Sequence, residues 1–396
     1  MTTPSAAPIA LTAHNIKVLL VDDQRIVGET IRRMLHDIPD LEFLYCADPT
    51  AALAQADAFN PTVILLDLIM PGVNGIDMAR AFRLNPSTAS TPLIVLSSKE
   101  EPTIKAEAFS VGANDYLVKL PDKLEVVARI RYHSAAYIHR LERDEAFKAL
   151  EAQQRVIDKE LADAAKYVRS LLPAPMPAGS TVPADWRFIT SSSLGGDSFG
   201  YHWLSEDQLA IYLLDVCGHG VGAALLSVSA INTIRNQTLP STDFAVPSQV
   251  LAGLNRAFPM DQQDFKYFTI WYGVFNPHTR ELIYASAGHP PAVAVAPDGK
   301  ITTLDSTGMI IGAVSTSTFP DATAKLASGS KLFVFSDGCY EVFNPDKVMM
   351  TFEDFFGILA AAAPHSDTID RTMAAAQNWQ QRPDFDDDFS LLQFQI

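Results

Sequence analysis

The chain has 396 residues, of which 48% are hydrophobic and 19% charged, and its formal net charge is −16. This length predicts two domains with a connector, and this composition is typical of globular proteins, not of disordered ones. The negative charge argues against a nucleic-acid partner, because nucleic-acid phosphates would be repelled by such a surface.

The N-terminal segment does not resemble a targeting signal. Residues 1–15 have no Lys or Arg ahead of an apolar run, so we expect a flexible N-terminus and no signal peptide. No stretch approaches the roughly 18 consecutive apolar residues that a membrane-spanning helix needs. The three cysteines, Cys46, Cys217 and Cys339, are too few and too widely spaced for a disulfide framework or a zinc cluster. We therefore expect a cytoplasmic protein without a membrane partner.

Between residues 16 and 135, short apolar runs alternate with amphipathic stretches. KVLLV, TVILLDL and PLIVLSS are typical of buried strands, and YLVK of a shorter fourth one. Residues 28–35 and 76–84 have helical periodicity. This alternation predicts an α/β doubly wound domain, with a parallel sheet and helices on both faces. Such sheets carry their functional residues beyond the carboxyl ends of the strands.

Polar side chains follow each of these four strands. They are Asp22 and Asp23, Asp67, Ser97 and Lys119. We expect them to meet at one edge of the sheet, where three carboxylates repel one another unless a hard cation such as Mg²⁺ neutralises them. A lysine and a hydroxyl beside that cation can bind phosphoryl oxygens. The pattern therefore predicts an aspartate that accepts a phosphoryl group.

The motifs VLLVDDQ, DLIMPGVNG, LSSKE and DYLVK resemble those of the response-regulator receiver family, which has a flavodoxin-like fold. The resemblance implies that Asp67 is the phosphoacceptor and that a histidine kinase or phosphotransfer protein is a partner. The other residues that the resemblance implies are the Mg²⁺ ligands Asp22, Asp23, Asp67 and Ile69 (through its carbonyl), the switch residues Ser97 and Tyr116, and the phosphoryl contact Lys119. Leu120 departs from the family, in which proline usually follows the lysine directly.

Residues 136–175 are predicted to form a helical linker. The sequence has no Gly or Pro between residues 130 and 172, and three prolines follow in LLPAPMP. A set of mainly apolar residues recurs at alternating spacings of three and four, as in a coiled-coil seam. The seam consists of Phe147, Leu150, Gln154, Ile157, Leu161, Ala164, Val168 and Leu171. Two interpretations stay open: a parallel coiled coil in a homodimer, or a single helix packed on its own domain.

Residues 176–396 have a different pattern, in which strand-like runs follow one another through short turns such as NPHTRE and APDGK. The runs include LAIYLLDV, YFTIWYGVF, ELIYASAG, KLFVFSDG and FSLLQFQI. Helical stretches at 221–235, 352–363 and 369–379 lie between some of them. This pattern predicts an α+β domain with a mainly antiparallel sheet.

Acidic residues again lie at the ends of the strand-like runs. They are Asp197 in LGGDSFG, Asp215 in LLDVCGHGVG, Asp337 in FVFSDG and Asp387 in DDDFS. Carboxylate, carbonyl and water ligands suit Mg²⁺ or Mn²⁺, whereas zinc would require more His and Cys. Two such ions about 4 Å apart can activate water and hold a phosphate, so no protein nucleophile is needed.

The strings LGGD, DVCGHGVGAAL, SAGHPPA, LFVFSDGCYE and DDFSLLQF resemble the SpoIIE/RsbU branch of the PP2C-like (PPM) phosphatases. The resemblance implies an antiparallel β-sandwich flanked by helices, and a metal-dependent protein serine/threonine phosphatase. Its implied substrates are phosphoserine or phosphothreonine proteins, typically STAS-type anti-anti-sigma factors. The implied ligands of two Mn²⁺ or Mg²⁺ ions are Asp197, Asp215, Asp337, Asp387 and the Val216 carbonyl.

Gly200 occupies the position at which the family commonly has a second acid, in GGDxxD. The alternative to an active enzyme is therefore a phosphatase-like adaptor that sequesters a regulator when the receiver is phosphorylated. His219 is expected to pack beside the metal loop, or else to donate a proton to the leaving alkoxide. His289 is expected to be structural, and Cys217 to be a small core residue.

A diguanylate cyclase is a further alternative, because GGDSFG resembles the GGDEF signature. That signature follows a nucleotide-binding helix and several strands within its domain. Here only about twenty residues separate LLP from GGD, and prolines replace the required elements. The sequence therefore argues against a cyclase.

Overall fold

The structure is a computed structural model that describes residues 14–98, 101–119 and 121–396. The chain divides into two compact units, the first ending at Val156 and the second beginning at Ile157. Most of the predicted flexible N-terminus, the last two residues of LSSKE and Leu120 lie outside the described residues.

The first unit contains a five-stranded parallel sheet of order β2-β1-β3-β6-β7, and a two-stranded β4–β5 ribbon. Its elements are β1 (Ile16–Val21), α1 (Arg25–Leu35), β2 (Leu41–Cys46), α2 (Ala52–Phe59), β3 (Val63–Asp67), β4 (Ile69–Met70), β5 (Val73–Asn74), α3 (Gly75–Leu84), β6 (Leu93–Ser97), α4 (Pro102–Ser110) and β7 (Asp115–Val118). Strands β3 and β6 are buried along their whole length, because helices cover both faces of a parallel sheet. The predicted doubly wound fold is confirmed.

Helix α5 (Lys123–Ser170) runs for 48 residues without interruption. Its N-terminal part buries Val126 and Ile130 against the sheet of the first unit. Along the predicted seam, Phe147, Leu150 and Ile157 are 61%, 57% and 43% exposed. The long helix is confirmed, and the coiled coil stays a prediction.

The second unit is a sandwich of two five-stranded antiparallel sheets, of order β15-β12-β11-β10-β9 and β14-β13-β16-β17-β8. Its elements are β8 (Ala184–Ile189), β9 (Ser198–Ser205), β10 (Gln208–Val216), α6 (Val221–Arg235), α7 (Pro247–Ala257), β11 (Phe268–Asn276), β12 (Glu281–Ala287), β13 (Ala292–Val295), β14 (Ile301–Leu304), β15 (Ala322–Lys325), β16 (Lys331–Phe335), α8 (Phe352–Ala362), α9 (Thr368–Gln380) and β17 (Phe389–Gln395).

Successive side chains of each strand point to opposite faces of its sheet, and this explains the layers of this unit. In β10, Leu213 packs into the core between the two sheets, whereas Leu214 packs on the opposite face against α6 and α7, as the two-residue period of a strand requires. Helices α8 and α9 cover the outer face of the other sheet. The predicted sandwich flanked by helices is confirmed. The GGD motif precedes β9, near the start of this sandwich, so the cyclase alternative is excluded.

Cys46, Cys217 and Cys339 are all free thiols. Among the described helices, none combines the length and the apolar character that crossing a bilayer requires.

Candidate functional site

The first unit brings its predicted residues together at the carboxyl edge of the parallel sheet. Carboxylate oxygens of Asp22, Asp23 and Asp67 lie within 4.8 Å of one another. The Lys119 ammonium lies 2.6 Å from Asp67 Oδ2 and 3.0 Å from Asp22 Oδ2. These residues follow or end β1, β3 and β7, which explains why they meet although they are distant in sequence.

This acidic cluster has the properties of a cation site. Asp22 is fully buried, and burial raises the pKa of its carboxyl, against the opposing effects of the Gln24 N–H and the Lys119 ammonium. Asp23 Oδ1 is buried without a hydrogen-bond partner among the described residues. A buried, unpaired carboxylate oxygen is costly. An all-oxygen ligand set with such an orphaned atom fits Mg²⁺.

Ile69 and the turn that follows it shape the pocket around Asp67. The Ile69 N–H donates to Asp67 Oδ1 at 3.1 Å, so this turn is held directly against the carboxylate. Gly75, the first residue of α3, packs so closely on Leu68 that a Cβ atom would overlap the Leu68 backbone. The second glycine of PGVNG, Gly75, is therefore required by a close approach of two backbone segments.

The predicted switch residues lie on neighbouring strands. Ser97 ends β6 and is buried, and Tyr116 lies in β7 opposite Val95. The Lys105 ammonium of α4 lies 5.1 Å from the centre of the Tyr116 ring. This cation–π contact was not predicted, because nothing in the sequence pairs these two positions.

The second unit brings its four predicted acids to one end of the sandwich. Asp197 precedes β9 and Asp215 lies near the end of β10, in one sheet, while Asp337 follows β16 and Asp387 precedes β17, in the other. The pairing of Leu214 with Ser198 places Asp215 and Asp197 side by side. Val216 follows Asp215 at the end of β10. Its carbonyl oxygen lies close to the LGGD motif, because a Cβ atom added to Gly196 would be 2.5 Å from this oxygen.

The electrostatics of these acids indicate an excess of negative charge. Burial, followed by the charges of Asp215 and Asp388, raises the pKa of Asp197 well above its usual range. Burial, followed by Asp337, Asp387 and Asp388, raises the pKa of Asp215 to about 7. Carboxylates that raise one another's pKa in this way are those that a cation would neutralise. The residues present therefore fit oxygen-preferring metal ions.

Asp337 belongs to the same electrostatic cluster. Burial, followed by the charges of Asp387 and Glu341, raises its pKa to about 6. Asp387 itself is exposed. The cluster therefore has a buried side at Asp197, a half-buried middle at Asp215 and Asp337, and a side at Asp387 that opens to solvent.

Asp388 is a buried acid that sequence reasoning missed. It accepts hydrogen bonds from the Ser191 N–H at 2.8 Å, from the Ser191 hydroxyl at 3.1 Å and from the Asp197 N–H at 3.3 Å. Ser390 in turn donates to Asp197 Oδ2 at 2.5 Å. Asp388 thus holds the backbone of the LGGD motif, and its position in DDDFS, next to Asp387, was the signal for it.

Gly200 lies in β9 directly opposite Tyr212 of β10. A Cβ atom at Gly200 would lie 2.5 Å from the buried Tyr212 ring. The Tyr212 hydroxyl is 3.3 Å from His202 Nδ1. The space into which a second acid would extend is therefore occupied by an aromatic ring, which explains the glycine.

We expect Gly200→Asp to destabilise the protein by roughly 1–3 kcal/mol, because the new side chain overpacks the sheet and buries a charge. The measurement is the free energy of unfolding in denaturant. Gly179→Asp is the matched control, since among the described residues nothing but its own chain neighbours lies within 4 Å of its Cβ position. If Gly200→Asp were as stable as the control, Tyr212 would have to move aside and the steric explanation would be wrong.

The other residues discussed from the sequence lie around this site. His219 is exposed and forms no hydrogen bond with any described residue, so the expectation that it packs beside the loop is wrong. His289 is buried, its Nδ1 donates to the Pro290 carbonyl, and burial lowers its pKa to about 4. Cys217 is only partly buried, and its Sγ accepts the Tyr267 N–H at 3.3 Å.

Two family models match the chain. Residues 18–131 match the response regulator receiver domain, and residues 205–396 match stage II sporulation protein E (SpoIIE). Both resemblances predicted from the motifs are thereby confirmed.

Similar proteins support these matches. Phosphoserine phosphatase RsbP of Bacillus subtilis is 29% identical over 184 residues, which are 46% of this chain and 45% of RsbP; the match thus spans about half of that relative. The regulator of RpoS of Escherichia coli is 28% identical over 286 residues, 69% of this chain and 81% of that protein. The SiaA-PP2C domain of Pseudomonas aeruginosa has a TM-score of 0.53 at 21% identity, covering 62% of this chain and 98% of that domain, which supports the fold alone.

Proposed function

We propose that this chain, which joins a response-regulator receiver domain to a SpoIIE-type PP2C domain, is a response regulator with a metal-dependent protein serine/threonine phosphatase as its output. The observation that carries the proposal is the convergence of Asp197, Asp215, Asp337 and Asp387 at one end of the sandwich, with the pKa values of three of them raised. The substrate would be a serine- or threonine-phosphorylated protein of STAS type, in the cytoplasm.

The receiver would be phosphorylated at Asp67 by a histidine kinase or phosphotransfer protein. An Asp67 carboxylate oxygen would attack the phosphorus of the donor, whose leaving group departs with the bonding electrons. Asp22, Asp23, Asp67 and the Ile69 carbonyl would hold Mg²⁺, which supplies positive charge for the phosphoryl oxygens. Lys119 already contacts Asp67 and would pair with the new phosphoryl group.

The new phosphoryl group would be read by the switch residues. Ser97 ends the strand next to β3 and would donate its hydroxyl to a phosphoryl oxygen. Tyr116, on the neighbouring strand β7, would change its packing in response. Its ring lies beneath Lys105 of α4, so a movement of the ring would change the environment of that helix.

In the phosphatase domain, Asp197, Asp215, Asp337, Asp387 and the Val216 carbonyl would hold two Mn²⁺ or Mg²⁺ ions. When bound, the ions supply the charge that activates water and stabilises the phosphoryl group in the transition state. Ser390 and Asp388 orient Asp197 through the hydrogen bonds described above.

His219 is the candidate proton donor for the serine or threonine oxygen that leaves. It is exposed beside the Val216 loop and is not engaged by any described residue. A side chain in this state is free to approach a substrate. The products are the free hydroxyl side chain and inorganic phosphate.

The test of this proposal is release of inorganic phosphate from a phosphoserine peptide by the full chain. We expect turnover with Mn²⁺ or Mg²⁺ and none in EDTA, with recovery when the metal is returned. Activity that persists in EDTA would contradict the metal mechanism.

A second candidate function is a phosphatase-like adaptor without catalysis, which sequesters a regulator when the receiver is phosphorylated. Two observations favour it. One relative that matches 69% of the chain is named a regulator of RpoS, and Tyr212 fills the space of the second acid. A correctly folded chain that hydrolyses no phosphopeptide with either metal would favour this candidate over the enzyme.

We also propose a homodimer through α5, supported by the exposed apolar residues of the seam. We expect light scattering to report twice the chain mass of 43.2 kDa in at least one phosphorylation state. Leu150→Gln combined with Ile157→Gln should abolish the dimer, because both side chains lie in the seam. Val156→Gln is the control, since Val156 is 57% exposed but lies outside the seam. A chain that is monomeric in both states and still regulated would contradict the dimer.

A further inference from the structure

A groove of about 280 Å³ lies beside the metal-binding loop of the phosphatase domain. One wall is the first half of α6, which begins directly after the DVCGHG motif. The other wall is the segment that precedes β11. The residues that line the groove are Gly222, Leu225, Leu226, Ser229, Gln262, Gln263, Asp264 and Lys266.

Hydrogen bonds join the segment that carries Lys266 to the DVCGHG loop of the candidate active site. The Cys217 N–H donates to the Tyr267 carbonyl at 3.0 Å, and the Tyr267 N–H donates to Cys217 Sγ at 3.3 Å. Cys217 follows Val216, whose carbonyl is an expected metal ligand. A group held at Lys266 is therefore fixed next to the loop on which the phosphoryl group would react.

Lys266 places a positive charge in the groove. A Cβ atom at Gly222 would lie 3.1 Å from Lys266 Cε and 3.5 Å from Nζ, so the lysine extends over the first turn of α6. It forms no ion pair with any described residue, although Asp264 lines the same groove and the chain has a net charge of −16. Its charge is therefore available to a partner.

Exposed apolar side chains lie on the same two segments as Gly222 and Lys266. Val221, Leu225 and Phe265 are 49%, 61% and 73% exposed. Asp264 and Phe265 both have left-handed backbone conformations, with φ of 50° and 59°, which non-glycine residues seldom adopt. These two residues form the turn directly before Lys266, and this turn exposes the Phe265 side chain to solvent. Exposed apolar side chains on the segments that carry an unpaired cation are typical of a protein-binding surface.

We propose that this groove binds an acidic segment of the phosphoprotein substrate next to its phosphorylated residue, and that Lys266 selects substrates with Asp or Glu at that position. The proposal rests on the proposed phosphatase function. An acidic side chain of the substrate gains an ion pair with Lys266, whereas a basic one is repelled by it.

The experiment compares two phosphoserine peptides that differ only in flanking Glu or Lys residues, together with p-nitrophenyl phosphate as a substrate without flanks. We expect the full chain with Mn²⁺ to have about a tenfold higher kcat/KM for the Glu peptide, through a lower KM. Lys266→Glu should reverse this preference and leave hydrolysis of p-nitrophenyl phosphate within about twofold. Lys300→Glu is the control, because it changes the net charge equally at an exposed turn between β13 and β14.

Each outcome separates the two proposals. An unchanged preference in Lys266→Glu, or the same reversal in Lys300→Glu, overturns the docking role. If Lys266→Glu lowers hydrolysis of p-nitrophenyl phosphate as strongly as that of the peptides, the lysine acts on the reacting group and the docking role is again wrong. If the wild-type chain hydrolyses none of the three substrates, the proposed phosphatase function itself fails.

Discussion

Substitution of Asp215 by Asn should reduce the rate of phosphate release from a phosphoserine peptide on the order of 10³-fold at saturating Mn²⁺, which corresponds to about 4 kcal/mol of transition-state stabilisation. Asp215 is the acid whose pKa responds to the charges of Asp337, Asp387 and Asp388 together. Its carboxylate therefore lies where both sheets contribute acidic side chains. Loss of its charge weakens the hold on the cations, whose charge the reaction requires.

The matched control for this substitution is Asp346→Asn, which removes the same charge from an exposed loop before α8. Its phosphatase rate should stay within about twofold of the wild type. Comparable activity of Asp215→Asn and the wild type at every Mn²⁺ concentration would show that the acid cluster is not the catalytic centre. The adaptor function would then be the better account of the domain.

The same acids make the stability of the metal-free protein depend on pH. The pKa of Asp215 is about 7 in the folded state, above its usual value, so the folded state binds this proton more tightly than the unfolded state does. Stability from the bound proton is present at low pH and is lost as the pH rises through about 7. In EDTA, the unfolding temperature of the wild type should therefore fall as the pH rises from about 4, near the pKa of an unperturbed Asp, to about 7, and Asp215→Asn should show a smaller fall.

Much of this architecture follows from local sequence patterns. The runs VILLD and LIVLS could be recognised as central strands because every residue in them is apolar or ends the strand. The acids of the candidate site were found because each lies at or beside one end of a strand-like run. Helix α7 was not predicted, although Val250, Leu251 and Leu254 recur on one face of it. It begins with a proline after a polar loop, and no capping residue marks its start.

The features that were missed depend on packing between distant segments. Three aspartates stand in a row in DDDFS, and only the fold shows that Asp388 is buried against Ser191 whereas Asp387 faces solvent. The reason for Gly200 is the Tyr212 ring on the neighbouring strand. Lys266 is one of 30 Lys and Arg residues. It differs from the others by lying over Gly222, and this position exists only once the fold has brought the segment before β11 against α6. Sequence spacing carries none of these relations.

Asp67→Asn should abolish every effect of acetyl phosphate or beryllofluoride on phosphatase activity. In the wild type, couplings of this kind are typically about 5–150-fold, and the assay measures phosphate release with and without the phosphodonor. Asparagine cannot form the acyl phosphate, and its neutral amide weakens the contact with Lys119, which lies 2.6 Å from Asp67 Oδ2. Asp77→Asn is the control, because Asp77 is an exposed acid of α3 that pairs only with Arg80 among the described residues.

The receiver site constrains the origin of the response. Phosphorylation can shift the output only by the difference in stability that it creates between two states of the receiver. That difference must arise at the edge formed by Asp22, Asp67 and Lys119, since the new charge is added there. If Asp67→Asn still responded to acetyl phosphate as the wild type does, another residue would accept the phosphoryl group, and the receiver site described here would have no part in regulation.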